Sequence, residues 1–340
     1  MMLNTKGVYM SDKVINEHYV PRRYLRHFAK NEHFFAFDKE KNEPRPGHVD
    51  DYACERYFYD VNFDEIKSDI LERDPSFEFD PEIEKDLENM DVQHLEHWFG
   101  DNVETWLFDP IDRIIARFTM CDPTKLNLID VLSENDMAHI ALYMSMQVLR
   151  SKEFRESMVE LYERAPLLLM KKMAKTDEEK KMLDSFELKV KNKNYKKFLH
   201  AQVLTDPEVA LHLAGDFGSK IWIIGYNRTD IDFLTSDNPI VKLGHNGYSG
   251  FNSEGIEIFF PINTKLVLIL KDPKYFWYES SNHNHFVEIP VGDVAFMNSL
   301  QLQQSYRYVF DRTGNFELVK GMMKRNPKLK NIKHKRFLMG

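Results

Sequence analysis

The chain has 340 residues, 43% of them hydrophobic and 29% charged, with a formal net charge of −8; this is a globular balance with enough chain for a sizeable core, and it excludes a disordered or fibrous polymer. Its two cysteines, Cys54 and Cys121, exclude a disulfide framework and agree with a reducing, cytoplasmic setting. The longest apolar runs, such as Leu266-Val267-Leu268-Ile269-Leu270, are too short to span a bilayer and the first twenty residues lack an apolar signal core, so no membrane association is expected.

Charge is unevenly spread. Between Asp60 and Asp112 acidic residues outnumber basic ones roughly six to one. The last twenty residues carry Lys324, Arg325, Lys328, Lys330, Lys333, Lys335 and Arg336 and no acid. A basic tail over 321–340 is expected there, either a solvated terminus, which is the favoured reading, or a contact for nucleic acid.

In chain order, Met10-Ser11-Asp12-Lys13 resembles an ordinary start, which makes residues 1–9 an upstream extension. A polar island, His18-Tyr19-Val20-Pro21-Arg22-Arg23-Tyr24-Leu25, follows. The aromatic run His33 to Asp38 predicts a strand, Lys41 to Gly47 a turn punctuated by proline and glycine, and residues 46–60 a second extended piece. Residues 61–80 show no period and predict a loop. From Pro81, an apolar stripe through Ile83, Leu87, Met90, Leu95 and Phe99 predicts a helix, resumed by Val103, Trp106 and Leu107. Ser133 with Asp136 three residues on predicts a capped helix that runs through Leu149 and past Ser151 towards Met173. Residues 171–197 are lysine-rich and predict an exposed helix or connection. Thr205-Asp206-Pro207-Glu208 opens another helix, ending near Gly215 to Gly218. Beyond it the period changes to two, predicting strands at 221–224, 233–234, 256–260 and 265–270, then a helix from Val291 to Ser305 and a strand from Tyr306 to Phe310. The fold class that follows is α+β: a helical middle packed on a C-terminal, mainly antiparallel sheet, with a short N-terminal β segment, in a single domain spanning 10–320.

Taken together, His18-Tyr19-Val20-Pro21 with Tyr24, Leu25 and Phe28, Phe58-Tyr59, Glu104, Gln147-Val148-Leu149-Arg150, Thr235-Ser236-Asp237-Asn238-Pro239, Phe259-Phe260-Pro261-Ile262, Asn298 and Tyr306-Arg307-Tyr308-Val309-Phe310 form an ordered set of motifs. With them the chain resembles the domain-of-unknown-function family 4238, a family found widely in bacteria. The resemblance covers nearly the whole chain and implies one domain; it carries no activity and no assigned catalytic residues.

The residues themselves offer a candidate site. His18, before an extended Val-Pro step, is suited to proton transfer or phosphate orientation, or to anchoring the N-terminal segment through a carbonyl. Asp237 sits at a strand end, where it is either a base or a turn former, with Asn238 positioning substrate or holding the turn. Gln147 and Arg150 share a helix face that is at least partly buried, so Arg150 needs a partner, which Glu104 or Asp237 could supply. Arg22 and Tyr24 complete the substrate-binding candidates, Arg22 as a fork for phosphate. Glu96 and Glu104 are eight residues apart, too far along an unbroken helix to share one small ion, and Gly100 offers a break. His94, His97, His283 and His285 lack a complete ligand set at zinc-site spacing, and no metal ligand or cofactor is assigned. The absence of Walker, Gly-x-Gly-x-x-Gly, Gly-x-Ser-x-Gly and Cys-x-x-Cys patterns removes kinase, Rossmann, ordinary α/β-hydrolase and zinc-ribbon readings. Two functions stay open: a hydrolase of a phosphodiester or nucleotide, with His18 and Asp237 catalytic and Arg150 and the basic tail meeting an anionic or nucleic-acid partner; or a binding or sensor module whose polar motifs are a buried structural network.

Overall fold

The computed structural model describes residues 14–88, 93–122 and 125–333. Its strands, in chain order, are β1 (Asn16–His18), β2 (His33–Asp38), β3 (Glu43–His48), β4 (Cys54–Arg56), β5 (Ile221–Tyr226), β6 (Thr235–Ser236), β7 (Val241–Gly244), β8 (Ile256–Pro261), β9 (Leu266–Lys271), β10 (His285–Glu288) and β11 (Tyr308–Asp311). The continuous apolar runs of the second half make a five-stranded sheet in the order β10-β5-β9-β8-β7, antiparallel except for the parallel pair β5 and β10.

These strands are apolar on both faces because helices cover both. Trp222, Ile224, Ile258, Phe260, Leu268 and Leu270 point to one side, into the largest core, with Ile140, Met144 and Phe217 from helices Glu134–Arg150 and Pro207–Gly218. Ile221, Ile223, Phe259, Val267 and Ile269 point to the other, against Val294, Met297 and Leu300 of helix Val291–Gln304. At about 2 kcal/mol for each large side chain fully buried, this double burial is the main favourable term holding the sheet in place.

The second sheet is antiparallel, in the order β3-β2-β11-β6, and joins the two ends of the domain. The N-terminal β segment is thus completed by late strands, while β1 pairs separately with β4. Helix Glu317–Arg325 closes this sheet from one side, burying Val319 and Met323 with Phe37, Val309 and Phe316. The first basic residues of the C-terminal segment, Lys324 and Arg325, therefore end an anchored helix; Lys335 and Arg336 lie outside the described residues, as do residues 1–13.

Several local features differ from the sequence expectations, among them the strand expected at 233–234, which is instead the short β6, Thr235–Ser236, set by its pairing with β11. Residues 63–73 are helical, not a loop, because the Asn62 side chain caps the first turn and Asp64 and Glu65 favour that end. The turn after β2 is shorter than expected and uses Asn42 in the left-handed region, at φ 59°. Pro44 and Pro46 then lie within β3, which tolerates them as an edge strand. The helix from Glu134 ends at Arg150, where extended Ser151 breaks the run and caps the next helix, Lys152–Met173, by accepting from the Phe154 amide at 3.1 Å. The stripe after Pro81 is split into helices Pro81–Glu88 and His94–Trp98, followed by a π-helical turn, Phe99–Val103; Met90 and the side chains of Ile83 and Leu87 lie outside the described residues.

Candidate functional site

Helix Glu134–Arg150 starts at a full capping box between Ser133 and Asp136, and its last two turns are buried all round. Tyr143, Gln147 and Arg150 are spaced by four and three, so they share one face. Polar groups at full burial need partners, and these have them only in part. Arg150, fully buried, donates from Nη2 to the His18 carbonyl and to Glu104 Oε1 at 3.1 Å, and from Nε to the Tyr59 hydroxyl at 3.2 Å. Its guanidinium lies 4.2 Å from the centroid of the Phe99 ring. Gln147 donates to the Tyr19 carbonyl at 2.9 Å, which fixes the amide with Oε1 pointing away from that bond. Arg150 Nη1, Gln147 Oε1, the Tyr143 hydroxyl and Glu96 Oε2 are buried with no hydrogen-bond partner among the described residues.

The π-helical turn places the carboxylates. Its widened step, with the Glu104 amide donating to the Phe99 carbonyl five residues back at 2.9 Å, turns Glu104 onto Arg150 while Phe99 stays beneath the guanidinium. Glu96 lies one turn earlier, within the field of Arg150 and Glu104. Burial pushes its carboxyl up to about 7, against the opposing pull of Arg150 and with the added push of Glu104. Burial works against charge on Arg150 too, but Tyr59, Glu104 and Glu96 outweigh it and the guanidinium stays ionised. Next door, Glu17 is pushed up to about 8 by burial and by its hydrogen bond with Asp60. The cluster therefore combines one fixed cation with a carboxyl that changes protonation near neutrality.

His18 borders this cluster through its backbone. Its ring Nε2 lies 3.3 Å from the Val49 carbonyl, and burial, followed by the Arg22 charge, lowers the imidazole to about 4. The ring is neutral at pH 7, with Nε2 as the donor.

The Thr235–Pro239 motif is built differently. Asp237 is fully buried; Oδ1 accepts from the Tyr306 amide at 2.8 Å, and Oδ2 from the amides of Arg307 at 2.8 Å and Tyr308 at 2.9 Å. Burial raises its carboxyl to about 6 against the pull of those amides. Ser236 bonds the Asn238 carbonyl and Gln301, and Asn238 bonds the Gln304 carbonyl at 2.9 Å. Each group in this motif is matched.

The family model described as protein of unknown function DUF4238 matches residues 16–315. The chain belongs to that family. No curated protein and no solved structure gives a significant match to this DUF4238 chain.

Of the residues singled out in the sequence, the DUF4238 fold brings Gln147, Arg150 and the His18 backbone together, with Glu104 as the counter-ion of Arg150. His18 and Asp237 share no hydrogen bond, and Asp237 does not pair with Arg150. Tyr24 is fully buried, its hydroxyl between Thr235 Oγ1 at 2.7 Å and the Pro261 carbonyl at 2.8 Å, which joins the two motifs. Arg22 is at the surface, paired with Asp50 at 3.1 Å. Among the described residues no three His, Cys, Asp or Glu side chains are grouped to hold a metal ion, and no helix is long and apolar enough to cross a membrane. Two members of the cluster escaped sequence reasoning as site residues. Tyr143 reads as core, although its spacing to Gln147 and Arg150 was the available signal; Glu96 has no local signal, because its burial comes from long-range packing.

Proposed function

We propose that this chain binds the anionic group of a small substrate at Arg150 and moves a proton through Glu96, as a hydrolase of a phosphodiester or nucleotide would. The observation that carries this reading is the row of unpartnered polar atoms on one buried helix face: Tyr143 Oη, Gln147 Oε1 and Arg150 Nη1. An unmade buried hydrogen bond costs about 1–3 kcal/mol, and a purely structural network gains nothing by leaving several unmade. In the proposed roles, Arg150 Nη1 holds an anionic oxygen, the Tyr143 hydroxyl donates to it, Gln147 Oε1 accepts from a substrate hydroxyl or the attacking water, and Glu96 exchanges a proton with water or the leaving group, its carboxyl tuned to the range where such transfer is efficient. His18, with Tyr19, serves through its carbonyl as part of the wall, and Asp237 with Asn238 as the staple that holds the late sheet.

The test is turnover of bis(p-nitrophenyl) phosphate and of a nucleotide panel by the intact chain and by Glu96→Gln and Tyr143→Phe. Both substitutions are near-isosteric: Glu96→Gln removes the titratable proton, and Tyr143→Phe removes the unpartnered hydroxyl. Loss of turnover with melting temperature unchanged or raised supports the reading; turnover equal to that of the parent in both variants rejects it.

The second reading, a binding or sensor module without chemistry, is favoured by a specific observation: Arg150, Gln147 and Tyr143 are almost wholly shielded from solvent. It treats these residues as a buried structural network and requires that Arg150→Met lower the melting temperature while no substrate is turned over.

A further inference from the structure

Away from that site, helix Phe63–Arg73 buries no residue completely. Its Ile66 and Ile70, one turn apart, are half-buried and face a cavity of about 390 Å³ closed on the other side by residues 189–195. Val190 supplies a third apolar surface, and the half-exposed Tyr195 ring stands at the rim. The volume lies within the range of small-molecule sites.

The walls are fixed by the chain itself. The Val190 amide donates to Glu163 at 2.8 Å, and the Asn192 side chain donates to Asp69 while accepting from the amides of Asn194 and Tyr195. Asn194 then ties back to Glu65 on the opposite helix at 2.6 Å. The lining thus carries one carboxylate, Asp69, held by the Asn192 side-chain amide, against three cations, Arg73, Lys189 and Lys191, around an apolar floor. Lys189 is paired with Glu187 at 3.0 Å; Arg73 and Lys191 have no carboxylate partner among the described residues.

We propose that this cavity is a binding site for a small organic anion with an apolar body, the body resting on Ile66, Ile70 and Val190 and the anionic head meeting Arg73 and Lys191. A preformed apolar floor of this kind contributes through the area it removes from water, and a cation pair at the rim selects charge and orientation. The site is separate from the Arg150 cluster and stands whether or not that cluster is catalytic.

The probe is 8-anilinonaphthalene-1-sulfonate, compared with uncharged N-phenyl-1-naphthylamine, titrated by fluorescence into the full chain. The variants are Arg73→Glu with Lys191→Glu, both at exposed positions, and Ile70→Trp, which fills the floor. The expected result is saturable binding of the sulfonate, weakened at least tenfold by charge reversal and abolished by Ile70→Trp, with the uncharged dye indifferent to charge reversal. Sulfonate binding that is absent from the parent, or equal in parent and charge-reversed chain, overturns the proposal. Because the charge-reversed pair is exposed, that comparison stands even where Ile70→Trp disturbs folding, which circular dichroism reads directly.

Discussion

The Asp237 turn and the Arg150 helix face are both buried and polar, and they end in opposite states. At Asp237 two carboxylate oxygens meet three backbone amides. At Arg150, bonds to His18, Glu104 and Tyr59 coexist with unpartnered atoms on Arg150, Gln147 and Tyr143. Burial alone therefore does not separate architecture from a site. What differs between the two is the balance of donors and acceptors, and the unmatched atoms at Arg150 are the ground for proposing a site there.

The comparison is most sharply tested by removing Asp237. Asp237→Ala strands three backbone amides, and the expected loss is about 4 kcal/mol, read as a shift in the urea midpoint; a loss below about 1 kcal/mol would mean that the turn does not depend on its carboxylate. Acid comes next. Because His18 is lowered to about 4 in the fold, it stays neutral where the unfolded chain takes up a proton; its contribution to stability is complete above pH 6.5 and is lost as pH falls to 4, by about 3 kcal/mol. His200, lowered to about 3 by burial and the Arg155 charge, extends the decline in the same direction. His18→Gln should flatten that limb in a pH series of thermal melts, and an unchanged limb would refute it. Glu104→Gln should cost about 2 kcal/mol, since it strips a buried guanidinium of its counter-ion while keeping one acceptor; a neutral result would show that Tyr59 and Phe99 suffice.

The alkaline side distinguishes the orphaned cluster itself. Glu96 and Glu17 are raised to about 7 and about 8, so their contribution is complete below pH 4.5 and is lost as pH rises through those values. Glu96→Gln should remove its share of this decline. The smallest effect expected is at Tyr143→Phe, a gain of up to about 1 kcal/mol from deleting an unpartnered hydroxyl. A clear loss there would place the hydroxyl in the fold's own hydrogen bonding.

Much of the architecture was legible because its signals are local. Ser133 with Asp136, Asp206 before Pro207, and the apolar run from Leu266 to Leu270 each announce an element within a few residues. Where sequence reasoning fell short, the deciding partner is distant or the rule has a positional exception: β3 tolerates Pro44 and Pro46 only because β2 leaves it at an edge, and Ser151 ends one helix because it can begin another. The site divides along the same line. Gln147 and Arg150 disclosed themselves by spacing, while charge left Glu104 and Asp237 both open as the partner of Arg150 and the fold decides for Glu104. The full pairing of Asp237 with residues 306–308 joins segments about seventy positions apart and has no local trace.

The pairing of β2 with β11 also bears on how the protein is made. Asp38 lies opposite Tyr308 and Phe35 opposite Asp311, so β2 waits for a strand synthesised long after it. Until β11 emerges from the ribosome, one long edge of β2 is a row of open amides and carbonyls beside Phe34 and Phe37, a template for pairing with a neighbouring nascent chain. Loop closure over such a separation slows folding. The sheet is therefore expected to complete itself only once residues 308–311 have emerged, so that ribosome-bound chains stopped before Tyr308 should remain protease-sensitive at β2 while chains that present β11 are not.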